Sequence, residues 1–229
     1  MEWEVIYKWL PKFIQGATLT LELVGLAVTL GLLLAIPLGI ARSSKLWYVR
    51  ALPYGYIFFF RGTPLLVQLF LVYYGLAQFD AVRESALWPY LRDPFWCAVA
   101  TMTLHTAAYI AEILRGAIQA IPPGEIEAAR ALGMSKPKTL FYIILPRAAR
   151  IGLPAYSNEV ILMLKASSLA STVTMLELTG MARTIIARNY LTVDMFFTAG
   201  VFYLVMSFVL VQVFRQLERW LRVDACQGR

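Results

Sequence analysis

The chain has 229 residues, 59% of them hydrophobic and 15% charged, with a mean hydropathy of +0.64. Such proportions exclude an ordinary water-soluble domain, and the apolar residues gather into long blocks between short charged segments, the pattern of several helices crossing a bilayer. The formal net charge of +7 raises the possibility of nucleic acid, but the basic residues form no single stripe and no recognition motif accompanies them, so nucleic acid is not expected as a partner. Lipid cannot hydrogen-bond an open backbone and the apolar blocks are too long for barrel strands, so the expected class is an all-α polytopic membrane protein.

The N-terminus, Met1-Glu2-Trp3-Glu4, has no basic region ahead of its long apolar stretch and reads as lacking a cleaved signal. A first span is expected over 16–41, with Glu22 near its outer end reaching toward the headgroups, and a second over 53–78. The second is interrupted by Arg61-Gly62-Thr63-Pro64. A third span, 95–118, carries His105 and Glu112, and a hydrophilic stretch over 119–150 follows, dense in helix formers. A fourth, less apolar span is expected over 153–171, then a short surface helix within 172–192, then a fifth span over 195–214. Trp3, Trp9, Trp47, Trp88 and Trp96 flank these blocks as an interfacial belt.

Positive charge sets the orientation. One set of alternate connections (Arg42, Lys45, Arg50; Arg115, Arg130, Lys136, Lys138, Arg147, Arg150; Arg215, Arg219, Arg222, Arg229) holds thirteen of the 21 Lys and Arg residues, and the other (Lys8, Lys12, Arg83, Arg92, Arg183, Arg188) holds six. The richer set belongs in the cytoplasm, which puts the N-terminus outside, the C-terminus inside and the 119–150 loop in the cytoplasm. Cys97 and Cys226 then fall on opposite sides of the bilayer, with no disulfide or metal-site spacing.

That loop contains Gly124-Glu125-Ile126-Glu127-Ala128-Ala129-Arg130-Ala131-Leu132-Gly133, with Ile143-Ile144-Leu145-Pro146 beginning after nine intervening residues. It resembles the EAA loop of ABC importer permeases. Ala128 and Ala129 would let a short helix lie close in a partner's groove, Glu127 would meet a basic group there, and Gly133 would permit the sharp turn that follows. The chain has no G-x-x-x-x-G-K-[ST] phosphate loop and no G-x-G-x-x-G, so ATP hydrolysis is expected on a separate polypeptide. The resemblance extends along essentially the whole chain: Gln15-Gly16-Ala17-Thr18-Leu19-Thr20-Leu21, Phe60-Arg61-Gly62-Thr63-Pro64-Leu65-Leu66-Val67-Gln68 and Leu153-Pro154-Ala155-Tyr156-Ser157-Asn158-Glu159-Val160-Ile161 look like polar amino-acid permeases. They are most similar to the M-type subunits of histidine/lysine/arginine/ornithine and arginine/ornithine systems, with octopine and nopaline permeases as near relatives. The resemblance implies a five-span type I ABC importer permease in the bacterial inner membrane, with no enzyme activity of its own. It further implies ATPase subunits that use ATP and Mg and dock on the loop, a second permease subunit that is a paralogue or identical, a periplasmic solute-binding protein, and a basic amino acid or opine as substrate.

Ionisable residues inside spans face a partner or a watery cavity, which singles out Glu159, Arg61, His105 and Glu112 as candidate pathway residues. Glu159 would pair with a basic substrate or make a structural ion pair or hydrogen bond within the subunit. Arg61, beside the helix-opening Gly62 and Pro64, would receive a substrate carboxylate or brace the bundle. His105, Tyr109 and Glu112 recur at i, i+4 and i+7, so they share one helix face; with a single histidine in the chain, pathway lining or interhelical hydrogen bonding is favoured over a metal site. Lys165, Ser167, Ser168, Ser171 and Thr172 make the second half of the fourth span amphipathic and fit helix packing. A different class remains open: an ion-gradient-driven secondary transporter or channel with His105, Glu112 and Glu159 as a proton relay. No nucleophile-base or metal constellation supports a membrane enzyme.

Overall fold

In the computed structural model, which describes residues 2–221, nearly all of the described residues are helical. Cys226, Arg222 and Arg229, used above for sidedness, lie outside the described residues. In chain order the helices are α1 (Trp3–Arg42), α2 (Trp47–Gly62), α3 (Leu65–Phe70), α4 (Asp80–Arg83), α5 (Trp88–Leu91), α6 (Pro94–Gln119), α7 (Pro123–Ala131), α8 (Lys136–Thr139), α9 (Leu145–Ala166), α10 (Leu178–Asn189) and α11 (Thr192–Leu221). Three of them, α1, α6 and α11, are each long and apolar enough to cross a membrane, and α2 with Leu65–Gln78 and Lys136–Val173 with α10 qualify as bent pairs, giving up to five crossings.

The first helix is much longer than its expected span: 40 residues make about 60 Å of helix, roughly twice the hydrocarbon thickness. Its apolar block packs on α6 through small residues. Ala27, Gly31, Ala35 and Gly39 recur every fourth position and are all buried. A Cβ on Gly31 would collide with the Thr106 methyl, and one on Gly39 would sit 2.9 Å from Leu114 Cδ2 and 3.0 Å from the Ala111 carbonyl. In lipid, where apolar burial between helices gains little, this close backbone approach is what holds two helices together. It also makes α1 and α6 parallel, so the C-terminal end of α1 lies on the side from which α6 runs into the 119–150 stretch.

The second expected span is bent by 102° between α2 and α3. Proline at 64 disfavours the helical conformation at the residue before it, and Thr63 is extended at φ −117° and ψ 143°. Further along, α9 starts at Leu145, inside the stretch expected as a loop, and runs on as a 3-10 turn to Val173 before a 47° bend into α10. The short helix expected within 172–192 is present as α10, but it is no simple surface helix: Leu178, Gly180, Ala182 and Ile185 are buried on a face that packs against α1 and α11. The main core joins these elements through Phe13 and Leu23 of α1, Leu69 of α3, Met102 of α6, Leu164 of α9, and Met195 of α11.

Candidate coupling surface and transport pathway

The Glu-Ala-Ala sequence lies on α7, a nine-residue helix with Pro123 in its first turn. Its end is closed by a Schellman arrangement: the Met134 amide donates to the Ala129 carbonyl at 3.1 Å and the Gly133 amide to the Arg130 carbonyl at 2.9 Å. Gly133 has φ +77°, a left-handed conformation that a side chain would strain. The two alanines differ in exposure. Ala129 is buried, 4% exposed, against this chain itself, whereas Glu127 and Ala128 are exposed. Leu132, at 84% exposure, continues the outward surface, as do Phe141 and Tyr142 beyond α8. Behind the loop, Glu125 approaches Arg147 of α9 at 3.4 Å, and Ile126 packs on the small cluster of Ala117, Ile121 and Ala148.

The candidate pathway residues fall into two groups. On one face of α6, His105 and Tyr109 have ring centroids 4.9 Å apart, the Arg61 guanidinium lies 5.1 Å from the centre of the Tyr109 ring, and Arg61, Tyr109 and Glu112 line a cavity of about 340 Å³ together with Arg42 and Tyr54. Glu112 is paired with Arg115, whose Nε donates to it at 2.8 Å. Glu159 belongs to a different contact. It is 6% exposed, accepts a hydrogen bond from the Thr106 hydroxyl at 3.2 Å, and has no Lys, Arg or His nitrogen within 4 Å among the described residues. His105, Glu112 and Glu159 therefore have separate hydrogen-bond partners, Gln68, Arg115 and Thr106.

The sequence profile of the binding-protein-dependent transport system inner membrane component matches residues 27–223. The chain belongs to this family. The octopine transport system permease protein OccM of Rhizobium radiobacter is 50% identical to this permease over 213 residues, 93% of this chain and 87% of that protein. The histidine/lysine/arginine/ornithine transport system permease protein HisM of Escherichia coli (strain K12) is 46% identical over 209 residues, 90% of this chain and 88% of that one. A crystal structure of an amino acid ABC transporter with histidines aligns at a TM-score of 0.84 and 35% identity, over 96% of this chain and 98% of the other. The inward facing MetNI methionine ABC transporter shares the fold at a TM-score of 0.77 and 16% identity, over 93% of this chain and 98% of the other. The protein is thus a permease subunit of an ABC importer, and the ion-gradient-driven alternative falls away.

Two residues central to the permease's polar interior carry no role in the sequence reading. Gln68 closes the break between α2 and α3. Proline at 64 has no N–H for the Phe60 carbonyl, and the Gln68 amide supplies the replacement, donating to Phe60 O at 2.9 Å and lying 3.1 Å from Thr63 O and 2.7 Å from Thr63 Oγ1. Its amide oxygen then meets His105 Nδ1 at 3.0 Å; that oxygen can only accept, so the network assigns the His105 proton to Nδ1. Glu177, fully buried, caps α10 by accepting from the amides of Thr179 and Gly180, both at 2.9 Å, and from the Tyr203 hydroxyl at 2.9 Å. Thr20 of α1 accepts from the preceding amide, Leu178, at 3.1 Å. Negative charge is favourable beside a helix N-terminus, but Glu is not among the residues that usually cap one, so Glu177 before Leu-Thr-Gly is only a weak local signal. Gln68 lay inside the interrupted motif, but no local rule pairs it with a histidine 37 residues away.

Proposed function

We propose that this permease carries a basic amino acid, or an opine derived from one, across the bacterial inner membrane along a path formed with a second permease subunit. The supporting observation is the similarity, at 50% and 46% identity, to permeases of octopine and of histidine/lysine/arginine/ornithine transport over nine-tenths of the chain. Five crossings follow if each bent pair spans once, with the N-terminus outside and the C-terminus in the cytoplasm on the charge count. A solute-binding protein delivers substrate from the outer side. ATP and Mg are used on separate ATPase subunits, and their closure is transmitted through α7.

In this reading Glu127 and Ala128 present the outer face of α7 to the ATPase, Ala129 seats the helix on its own permease, and Gly133 sets the direction in which the chain leaves it. Within the bundle, Glu159 offers a carboxylate to a substrate guanidinium or ammonium, a charge-assisted contact for which Thr106 leaves acceptor capacity. Arg61 over Tyr109, with His105 and Glu112 on the same α6 face, lines the path where the α2–α3 break opens the helix. Alternating access is a change in how the two permeases pack around this path, driven from the coupling loops.

The test is ATP-dependent uptake of labelled arginine, ornithine, histidine and glutamine into proteoliposomes holding the complete importer. Uptake restricted to the basic substrates is expected, whereas uptake of glutamine alone defeats the substrate assignment and leaves the importer intact. Glu159→Gln is expected to raise the KM for arginine about tenfold, the scale of one charge-assisted hydrogen bond, with assembly unchanged. An unaltered KM assigns Glu159 a structural role.

A further inference from the structure

The C-terminal end of α1 and the start of α2 form a second cationic pocket, which shares Arg42 and Tyr54 with the pathway cavity but opens beside Trp47 and Arg50, to which the transport reading gives no role. Arg42, Trp47, Arg50, Ala51 and Tyr54 line a cavity of about 470 Å³, and Arg42 and Tyr54 also border the neighbouring cavity that holds Arg61 and Glu112. Neither Arg42 nor Arg50 has a carboxylate within 4 Å among the described residues, while Glu112 is held by Arg115. The Arg42 guanidinium lies over the Tyr54 ring, 4.9 Å from its centre, and its buried Nε has no hydrogen-bond partner among the described residues. Trp47 and Tyr54 are more than half exposed, amphipathic rings of the kind that settle at the headgroup level.

The location limits what such a pocket can hold. Because α1 and α6 run parallel through the Gly31 and Gly39 contacts, Arg42 lies on the membrane side of the coupling loop. The connection between α1 and α2, residues 43–46, is short and includes Lys45, so the pocket sits at the bilayer surface, where phosphate oxygens are abundant. Guanidinium groups bind phosphate in a bidentate fork and a basic recess between spans suits an anionic headgroup.

We propose that Arg42 and Arg50, framed by Trp47 and Tyr54, form a binding site for the phosphate of an anionic phospholipid at the coupling-loop face of the membrane. The site anchors the α1–α2 corner against the headgroups while the rest of the bundle moves. It rests on the family's membrane location and not on the choice of substrate.

The experiment uses the full chain purified with its partner subunits in nanodiscs of phosphatidylcholine containing a minor fraction of phosphatidylglycerol, with native mass spectrometry counting retained lipids. Wild type is expected to retain phosphatidylglycerol preferentially, with Arg42→Gln and Arg50→Gln each lowering retention about fivefold and the double variant more. Arg92→Gln, an exposed charge that precedes α6 and so lies at its opposite end, is expected to leave retention unchanged. Equal retention in wild type and both variants, or an equal loss in Arg92→Gln, overturns the site. Displacement of the lipid by millimolar inorganic phosphate at constant ionic strength also overturns it, by showing a site for free phosphate. Should Arg42→Gln fail to assemble, the exposed Arg50 carries the test alone, and unchanged retention in Arg50→Gln defeats the proposal. Arginine binding to the complex, measured in parallel, separates this outcome from failure of the transport reading.

Discussion

The chain stops making helical hydrogen bonds in two instructive places, the end of α7 and the α2–α3 break, and it satisfies the freed groups in opposite ways. At α7 the solution is local: Gly133 turns left-handed and two amides just beyond the helix return to the last carbonyls. At the break it is remote: the Phe60 and Thr63 carbonyls take their hydrogens from the Gln68 side chain, which is in turn fixed by His105 on another helix. Bulk water serves the orphaned groups of an exposed loop, but at membrane depth protein groups or a water-lined cavity must, and here Gln68 does so. The difference predicts that damage at the break is global and damage at the cap falls mainly on coupling.

The largest effect is expected from Gln68→Leu. It leaves the Phe60 and Thr63 carbonyls and the His105 Nδ1–H without their partner, at about 1–3 kcal/mol for each, and because all three residues are half-buried the low end applies, a total of at least about 3 kcal/mol. Thermal unfolding of the purified complex in detergent measures it, and an unchanged midpoint would show that the break is held by packing alone. Gly133→Val is expected to cost about 2 kcal/mol, because a β-branched side chain at φ +77° is strained even though the space around it is open. Its signature is a loss of substrate-stimulated ATPase activity out of proportion to a fall in unfolding midpoint smaller than that of Gln68→Leu. Normal stimulation at normal uptake would remove the turn from the coupling path.

The smallest effect belongs to Glu125→Gln at the base of the loop. The Glu125–Arg147 pair is 3.4 Å apart with side chains 35% and 46% exposed, so water and salt screen it. A change below about 0.5 kcal/mol is expected. A larger loss, reduced by added salt, would mean that the pair braces α7 against α9 more firmly than its exposure allows.

Legibility followed the range of the interactions. The left-handed turn at Gly133 was readable because a glycine closing a helix-forming stretch signals its own backbone need. The shared face of His105, Tyr109 and Glu112 was readable because helical periodicity alone places them, and Tyr109 does meet both His105 and Arg61. The extent of α1 was not: hydropathy reports where lipid is tolerated, while the helix continues through Tyr7, Lys12 and Gln15 as far back as Trp3. Nor was the depth of α10, since Arg183 and Arg188 draw attention to its polar face and hide Ala182 and Ile185 packed beneath.

Composition and pattern by themselves determined that this chain is a helical membrane protein, and the residues of its loop and spans determined the family, because hydrophobic blocks and a spaced motif are properties of the chain taken in order. Only the tertiary structure decided which of the two motif alanines is exposed, that Glu159 meets Thr106 with no Lys, Arg or His nitrogen within 4 Å among the described residues, and that Gln68 ties the broken span to His105. Those outcomes depend on which helices lie side by side, and that arrangement is set by close packing of small residues such as Gly31 and Gly39 on α6, contacts between segments more than seventy residues apart.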